Sequence, residues 1–102
     1  MKVLNIDASG CRDRWDIYDL VGKAVEAPDG HGSGSDAFAD SMIWGGMNAV
    51  EPPYTVRISG TANLPDDIKT EILEFAHSLR EARAEYKATR GNDVEVNVEV
   101  LP

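Results

Sequence analysis

The segment from residue 93 to residue 100 constrains the fold more than any other part of the chain. Its even-numbered positions are all valine, Val94, Val96, Val98 and Val100. The odd-numbered positions between them are polar, Glu95, Asn97 and Glu99. A period of two is typical of a β-strand with one buried and one solvated face. A fold that contains this strand therefore covers one face of its sheet and leaves the other face in water.

Two other segments, residues 2–6 and 54–58, are short, apolar and β-prone, and we predict a strand in each. The stretches between the strands are amphipathic. After Asp13, a candidate N-cap, apolar residues recur at the spacing of an amphipathic helix. They are Ile17, Leu20, Val21, Ala24 and Val25. The longest helix is expected to start near Pro65 and to end at Gly91, with an apolar stripe formed by Ile68, Ile72, Phe75, Leu79, Ala82 and Tyr86.

Strands that are separated by helices imply right-handed crossovers and a parallel sheet. Since one face of the sheet is wet, we predict an α/β fold of two layers, a three-stranded parallel sheet with helices packed on one side. At 102 residues the chain is too short for two domains, so residues 1–102 are expected to form a single domain.

The charge is unevenly placed along the chain. Eighteen Asp and Glu outnumber ten Lys and Arg, which gives a net charge of −8. From Ala24 to Val56 there is no Lys or Arg, and the acids of that stretch are Glu26, Asp29, Asp36, Asp40 and Glu51. Phosphate contacts need basic side chains, so nucleic acid and anionic membranes are disfavoured as partners. A basic protein partner is favoured, although a merely solvated acidic face has the same composition.

The cellular setting follows from two absences in the sequence. No apolar run approaches the roughly 20 residues of a membrane span, and residues 1–7 lack the apolar core of a signal peptide. A single cysteine, Cys11, cannot form an internal disulfide. We therefore expect a cytoplasmic, monomeric protein in which Cys11 is a structural or incidental thiol.

A short helix that starts with Ser35 as its N-cap and ends at Gly45-Gly46 carries the strongest local signal. At about 100° per residue, Asp36 and Asp40 lie within about 40° of each other, while Phe38 and Met42 point to the opposite side. Like charges four residues apart cost a helix a few tenths of a kcal/mol. The pair therefore suggests contact with a cation or an acid/base role, and a plain solvated face stays open.

Two chemical roles in the same region are weaker. The Gly30-x-Gly32-x-Gly34 motif follows no strand and carries no lysine, so it does not match a phosphate-binding loop. His31 could join Asp29 and Asp36 in a weak metal site, but no ligand repeat supports one. We expect no cofactor, no metal and no enzymatic activity.

Residues 31–40, His-Gly-Ser-Gly-Ser-Asp-Ala-Phe-Ala-Asp, resemble the stretch Tyr-Gly-x-Asn-Leu-Asp-Ala-Leu-Trp-Asp of the barstar family of intracellular ribonuclease inhibitors. The shared positions are Gly32, Asp36, Ala37 and Asp40. Residues 51–52 are similar to a Glu-Pro of that family, and residues 80–85 to its Arg-Glu-Ala-Lys-Ala-Glu. The chain departs from the pattern at His31, Gly34, Ser35 and Ala39.

The resemblance implies a barstar-like fold and an inhibitor that plugs the basic active site of a nuclease with an acidic helix and loop. Asp40 would take the place of a substrate phosphate, with Asp36 beside it. The residues implied as further contacts are His31, Gly32, Ala37, Glu51, Glu81 and Glu85. The implied biology is an immunity protein against a toxin nuclease, and the alternative is a barstar-like module for a basic partner that is not a ribonuclease.

Overall fold

The computed structural model describes residues 2–26, 34–44 and 50–102. The strands and helices are, in chain order, β1 Lys2–Asp7, α1 Asp16–Ala24, α2 Ser35–Trp44, β2 Tyr54–Ser59, α3 Asp66–Arg90 and β3 Val96–Val100. All three predicted strands and all three predicted helices are present, and the bounds differ most at α1 and β3.

The three strands form one parallel sheet in the order β1-β2-β3. Lys2 of β1 pairs with Tyr54 of β2, which pairs in turn with Val96 of β3. Two right-handed crossovers that advance in the same direction place their helices on the same face of a sheet. In agreement, the ring of Tyr18 on α1 lies 5.3 Å from that of Phe38 on α2 and 5.9 Å from that of Phe75 on α3. The predicted parallel α/β sheet is therefore confirmed.

The core lies between the central strand and the longest helix. On β2, Tyr54, Val56 and Ile58 are fully buried. They share the core with the predicted α3 stripe, in which Ile68, Ile72, Phe75, Leu79 and Ala82 are buried and Tyr86 is partly buried. The opposite face of the sheet carries an ion pair between neighbouring strands, with Arg57 Nε 3.0 Å from Glu99 Oε2. That face is solvated, as the alternating pattern predicts.

Strand β3 begins at Val96, three residues later than the alternation predicts. The Asp93 carboxylate accepts a hydrogen bond from the backbone N–H of Glu95 at 3.1 Å, and Glu95 has a φ of 54°. A positive φ is incompatible with extended β backbone. The turn after α3 therefore continues through Glu95, although the side-chain pattern already alternates there.

Helix α1 begins at Asp16, so the prediction of Asp13 as its N-cap is wrong. Asp16 Oδ2 accepts the backbone N–H groups of Arg12 at 2.7 Å and Asp13 at 3.2 Å, and these bonds lower the pKa of Asp16. Asp13 Oδ1 instead accepts the N–H of Trp15 at 2.8 Å. The two aspartates stabilise a turn before the helix, so the N-cap lies two residues later than predicted, at Trp15.

Cys11 is a buried free thiol between β1 and α1. Burial, reinforced by the negative charges of Asp16 and Asp13, raises its pKa. A raised pKa disfavours the thiolate, which is the reactive form of cysteine. Across the described parts of the chain, no helix combines the length and apolar character that a membrane crossing requires.

Candidate functional site

Helix α2 is anchored by one side and exposes two carboxylates on the other. Its buried residues are Phe38, Ala39, Met42 and Ile43. Asp36 and Asp40 are both exposed, one turn apart. The helix already includes Ser35, so it begins one residue earlier than a Ser35 N-cap predicts, and the glycines expected to end it, Gly45 and Gly46, lie outside the described residues.

The aromatic ring of Phe38 fixes the orientation of this helix. It packs 5.3 Å from the ring of Tyr18 and 5.9 Å, edge-on, from the ring of Phe75. Buried aromatic pairs at such distances add about 0.5–1.5 kcal/mol beyond the burial of their surface. Ala39 beside it is completely buried, so a small core residue stands where the family stretch has tryptophan.

Asp36 makes a contact that links α2 to α3. The hydroxyl of Ser78, which is 9% exposed, donates a hydrogen bond to Asp36 Oδ1 at 2.8 Å. Sequence reasoning missed Ser78. Its only signal is a polar side chain next to Leu79 of the apolar stripe, and the sequence does not say which helix lies opposite.

Two more predicted acids lie on the same side of α3. Glu81 and Glu85 are exposed and one helical turn apart. Glu85 follows Ser78 by seven residues, which places it within about 20° of the same direction around the helix. His77 Nε2 lies 2.7 Å from Glu81 Oε1 on the exposed surface. Because Ser78 touches Asp36, the tertiary structure brings Glu81 and Glu85 to the boundary between α2 and α3.

The remaining predicted site residues are less closely associated with this boundary. Ala37 is exposed on α2, next to Asp36. Glu51 is exposed ahead of β2, where the N–H of Val50 donates to the carbonyl of Val25 at 3.2 Å. That bond holds Glu51 near the end of α1. His31 and Gly32 lie outside the described residues.

Three basic residues of α3 lie on the other flank of the helix. Arg80, Arg83 and Lys87 line a groove of about 380 Å³ between α3 and β3. Arg83 and Glu85 are two residues apart and therefore about 200° apart around the helix. Arg83 is fixed by Asp93, with Nη2 2.6 Å from Oδ2, and this contact raises the pKa of Arg83 and holds that of Asp93 well below its usual range. A fourth cation, Arg90 at the end of α3, lies on the α2 side instead, with Cζ 5.7 Å from the centre of the Trp44 ring.

The space beside the acidic residues is an open groove. It has a volume of about 480 Å³, and its lining is Ser35, Asp36, Leu73, Glu74, His77 and Ser78. Within the described ranges, no three His, Cys, Asp or Glu residues are grouped so as to hold a metal ion. An open surface of exposed carboxylates is suited to charge complementarity with a basic partner.

The fold and this surface together define a small α/β protein with exposed carboxylates on a short helix. A family model described as Barstar (barnase inhibitor) matches residues 1–99. The chain therefore belongs to the barstar family. The family is one of inhibitors rather than enzymes, and membership indicates a ribonuclease-inhibitor-like function. None of the curated protein sequences compared with the chain matches it.

Proposed function

We propose that this protein inhibits a ribonuclease of the barnase type by inserting α2 into the basic active-site cleft of the enzyme. The observation that carries the proposal is the exposure of Asp36 and Asp40 one turn apart on a helix whose opposite side is buried. Together with Glu81 and Glu85, these two residues are named the acidic surface below.

The physical basis is the substitution of carboxylate for phosphate. A ribonuclease binds a polyanion, so its cleft is lined with cations, and an inhibitor needs negative charge where phosphates would lie. In the complex, Asp40 lies among the arginine and histidine side chains of the cleft, and Asp36 binds beside it. Inhibition is steric and electrostatic, with no chemistry at the inhibitor itself.

The outer acids have a different part in binding. Glu81, Glu85 and Glu51 are exposed and remain partly solvated at the rim of the complex. Exposed charges act through long-range attraction, which raises the association rate and is screened by salt. They therefore increase the rate of encounter more than they slow dissociation.

The distribution of cations supports this orientation of the complex. The chain has no Lys or Arg between Ala24 and Val56, and α2 lies entirely within that interval. The groove that Arg80 and Lys87 line is on the β3 flank of α3. A cation beside Asp36 or Asp40 would repel the cleft, so the lack of Lys and Arg within α2 favours binding to a basic enzyme.

The biological form of the proposal is an immunity protein, active as a cytoplasmic monomer, that guards a bacterial cell against a toxin nuclease. The partner need not be barnase itself. Ala39 replaces the tryptophan of the family stretch and is buried in the core, so an aromatic contact from that position is lost. A basic protein that is not a ribonuclease is the alternative partner.

The test is titration of RNA cleavage by barnase, and by a panel of other microbial ribonucleases with basic clefts. We expect one panel member to be silenced at one equivalent of the protein, and Asp40→Ala to relieve that inhibition. The matched control is Asp67→Asn, which removes an exposed carboxylate about 21 Å along α3 from Glu81. Full activity of every panel member at excess inhibitor would overturn the proposal, and binding of a basic protein without inhibition would support the alternative.

A further inference from the structure

The first turn of α2, which carries Asp36, rests on polar side chains from both of the other helices. The Tyr18 hydroxyl donates to the Glu71 carboxylate, and both residues are buried at 7% exposure. The Tyr18 ring packs 5.3 Å from the ring of Phe38 in that turn, and Ser78 donates to Asp36 Oδ1 at 2.8 Å. These three residues, Tyr18, Glu71 and Ser78, are named the support cluster.

The direction of each bond in the support cluster follows from the donors available. A phenol has one hydrogen, and Tyr18 uses it for Glu71. Burial and the bond to Glu71 raise the pKa of Tyr18, which keeps the phenol protonated and its donor role intact. The bond therefore joins α1 to α3, and the Tyr18 ring contacts Phe38 of α2.

We propose that the support cluster positions Asp36, by fixing the first turn of α2 in its binding geometry before the partner arrives. The proposal rests on the proposed function, because it assigns Asp36 to the partner interface. Ser78 acts on the carboxylate directly. Tyr18 and Glu71 act through Phe38, two residues after Asp36, whose ring packs against that of Tyr18.

Helix α2 needs such support because it is short. It has ten residues, and isolated helices below about 12–15 residues are only marginally stable in water. Its first backbone bond, from the N–H of Phe38 to the carbonyl of Gly34 at 3.1 Å, lies at the end where a helix frays. Asp36 is in that same turn, so fraying would scatter its carboxylate.

The burial of Glu71 is difficult to explain by stability alone. A buried carboxylate costs free energy unless it is hydrogen-bonded, and apolar replacements of a buried polar pair are often neutral or stabilising. Glu71 precedes Ile72 of the apolar stripe, where an apolar side chain would also pack. A hydrogen-bonded network does, however, fix one arrangement of helices more uniquely than apolar contact does.

Ordering Asp36 in advance improves binding in a specific way. A side chain that is already held in the bound rotamer loses less entropy on association. Ser78 engages only Oδ1 of Asp36, and the second oxygen can accept a bond from the partner.

The first experiment is a double-mutant cycle between Ser78→Ala and Asp36→Ala. The probe is barnase, or the member of the ribonuclease panel that is inhibited most strongly. We expect Ser78→Ala to weaken binding about three- to tenfold. In the Asp36→Ala background the same change should have no further effect, because the carboxylate that Ser78 positions is gone. Equal effects of Ser78→Ala in both backgrounds would overturn the positioning role.

The second experiment separates positioning from folding. The double variant Tyr18→Phe, Glu71→Met replaces both partners of the buried pair with apolar groups. We expect its thermal unfolding temperature to be unchanged or raised, while affinity for the nuclease falls about three- to tenfold. Unchanged affinity in this folded variant would overturn the role of the pair.

The third measurement needs no partner and is decisive even if the proposed function fails. In amide hydrogen exchange, Ser78→Ala and the double variant should both accelerate exchange at Phe38 about three- to tenfold and leave Ile43, in the last turn of α2, unchanged. Unaltered exchange at Phe38 would show that the support cluster does not hold the first turn. Accelerated exchange without ribonuclease inhibition would refute the proposed function alone.

Discussion

The guanidinium of Arg83 donates hydrogen bonds to both oxygens of the Asp93 carboxylate, with Nε 2.7 Å from Oδ1 and Nη2 2.6 Å from Oδ2. The third nitrogen of the guanidinium, Nη1, donates to the carbonyl of Val96 at 3.3 Å. One side chain of α3 thereby fixes both the turn that follows the helix and the start of β3. It also holds a cation on the flank away from the acidic surface.

The ion pair predicts a pH-dependent contribution to stability. Arg83 keeps the pKa of Asp93 in the folded state below its value in the unfolded chain. The stabilisation is therefore complete above about pH 4 and is lost as the pH falls through the lowered pKa. We expect Asp93→Asn to unfold at lower urea concentration at pH 7, and the gap from the parent to close towards pH 2. The matched control is Asp67→Asn, and a gap that stays constant with pH would contradict the prediction.

The acidic surface predicts an ordered set of affinities. Asp40→Ala should weaken nuclease binding most, Asp36→Ala less, and Glu81→Ala, Glu85→Ala or Glu51→Ala least, because outer charges stay solvated. A dominant effect at Asp40 is implied by membership of the barstar family, and the ordering is specific to this chain.

Kinetics at two salt concentrations distinguish the two groups of acids. Loss of Glu81 or Glu85 should slow association about two- to fivefold at low salt, with the effect fading as salt rises. Loss of Asp40 should accelerate dissociation and persist at high salt. Stopped-flow binding measures both rates, and a variant lacking Asp40 that binds as tightly as the parent would rule out phosphate mimicry by α2.

The burial of Ala39 predicts the effect of restoring the tryptophan of the family. Ala39→Trp inserts a large ring into a filled core, and overpacking of this kind costs about 1–3 kcal/mol of unfolding free energy. Ala37→Trp, two residues earlier on the exposed side, is the matched control and should change stability by less than about 0.5 kcal/mol. Urea denaturation measures the free energy of unfolding of both variants. Equal stabilities of the two variants would mean that the core has room for the tryptophan ring at position 39.

Cys11 is predicted to be dispensable for binding. Cys11→Ser should leave ribonuclease inhibition unchanged within a few-fold, because the thiol is buried and its raised pKa keeps it protonated. In the folded parent, the thiol should react with a disulfide reagent far more slowly than in urea. Loss of inhibition by a folded serine variant would reveal a role that its burial does not suggest.

The errors in the predicted bounds share one physical cause. Asp13, Asp16 and Asp93 bind backbone N–H groups a few residues away, and these bonds compete with helix and strand. Apolar periodicity reports which face of an element is buried. It does not report such local bonds, so the first residues of α1 and β3 were misplaced although both elements were correctly predicted.

The sequence by itself determined which segments form strands and helices. It also determined that the strands are parallel and which residues of α2 lie on its buried and exposed sides. Helical periodicity alone separates Asp36 and Asp40 from Phe38 and Met42, because side-chain direction follows from residue number once the helix is granted. Connection length and handedness then leave few sheet topologies for strands that alternate with helices.

Only the tertiary structure decided what surrounds Asp36. Its bond to Ser78 spans 42 residues, and the bond between Tyr18 and Glu71 spans 53. Contacts of this kind depend on how two helices are rotated and shifted against each other, and neither quantity is encoded in the spacing of residues along one helix. Asp36 of α2 meets Ser78 of α3 because packing of Phe38 between Tyr18 and Phe75 sets that rotation, which no local pattern specifies.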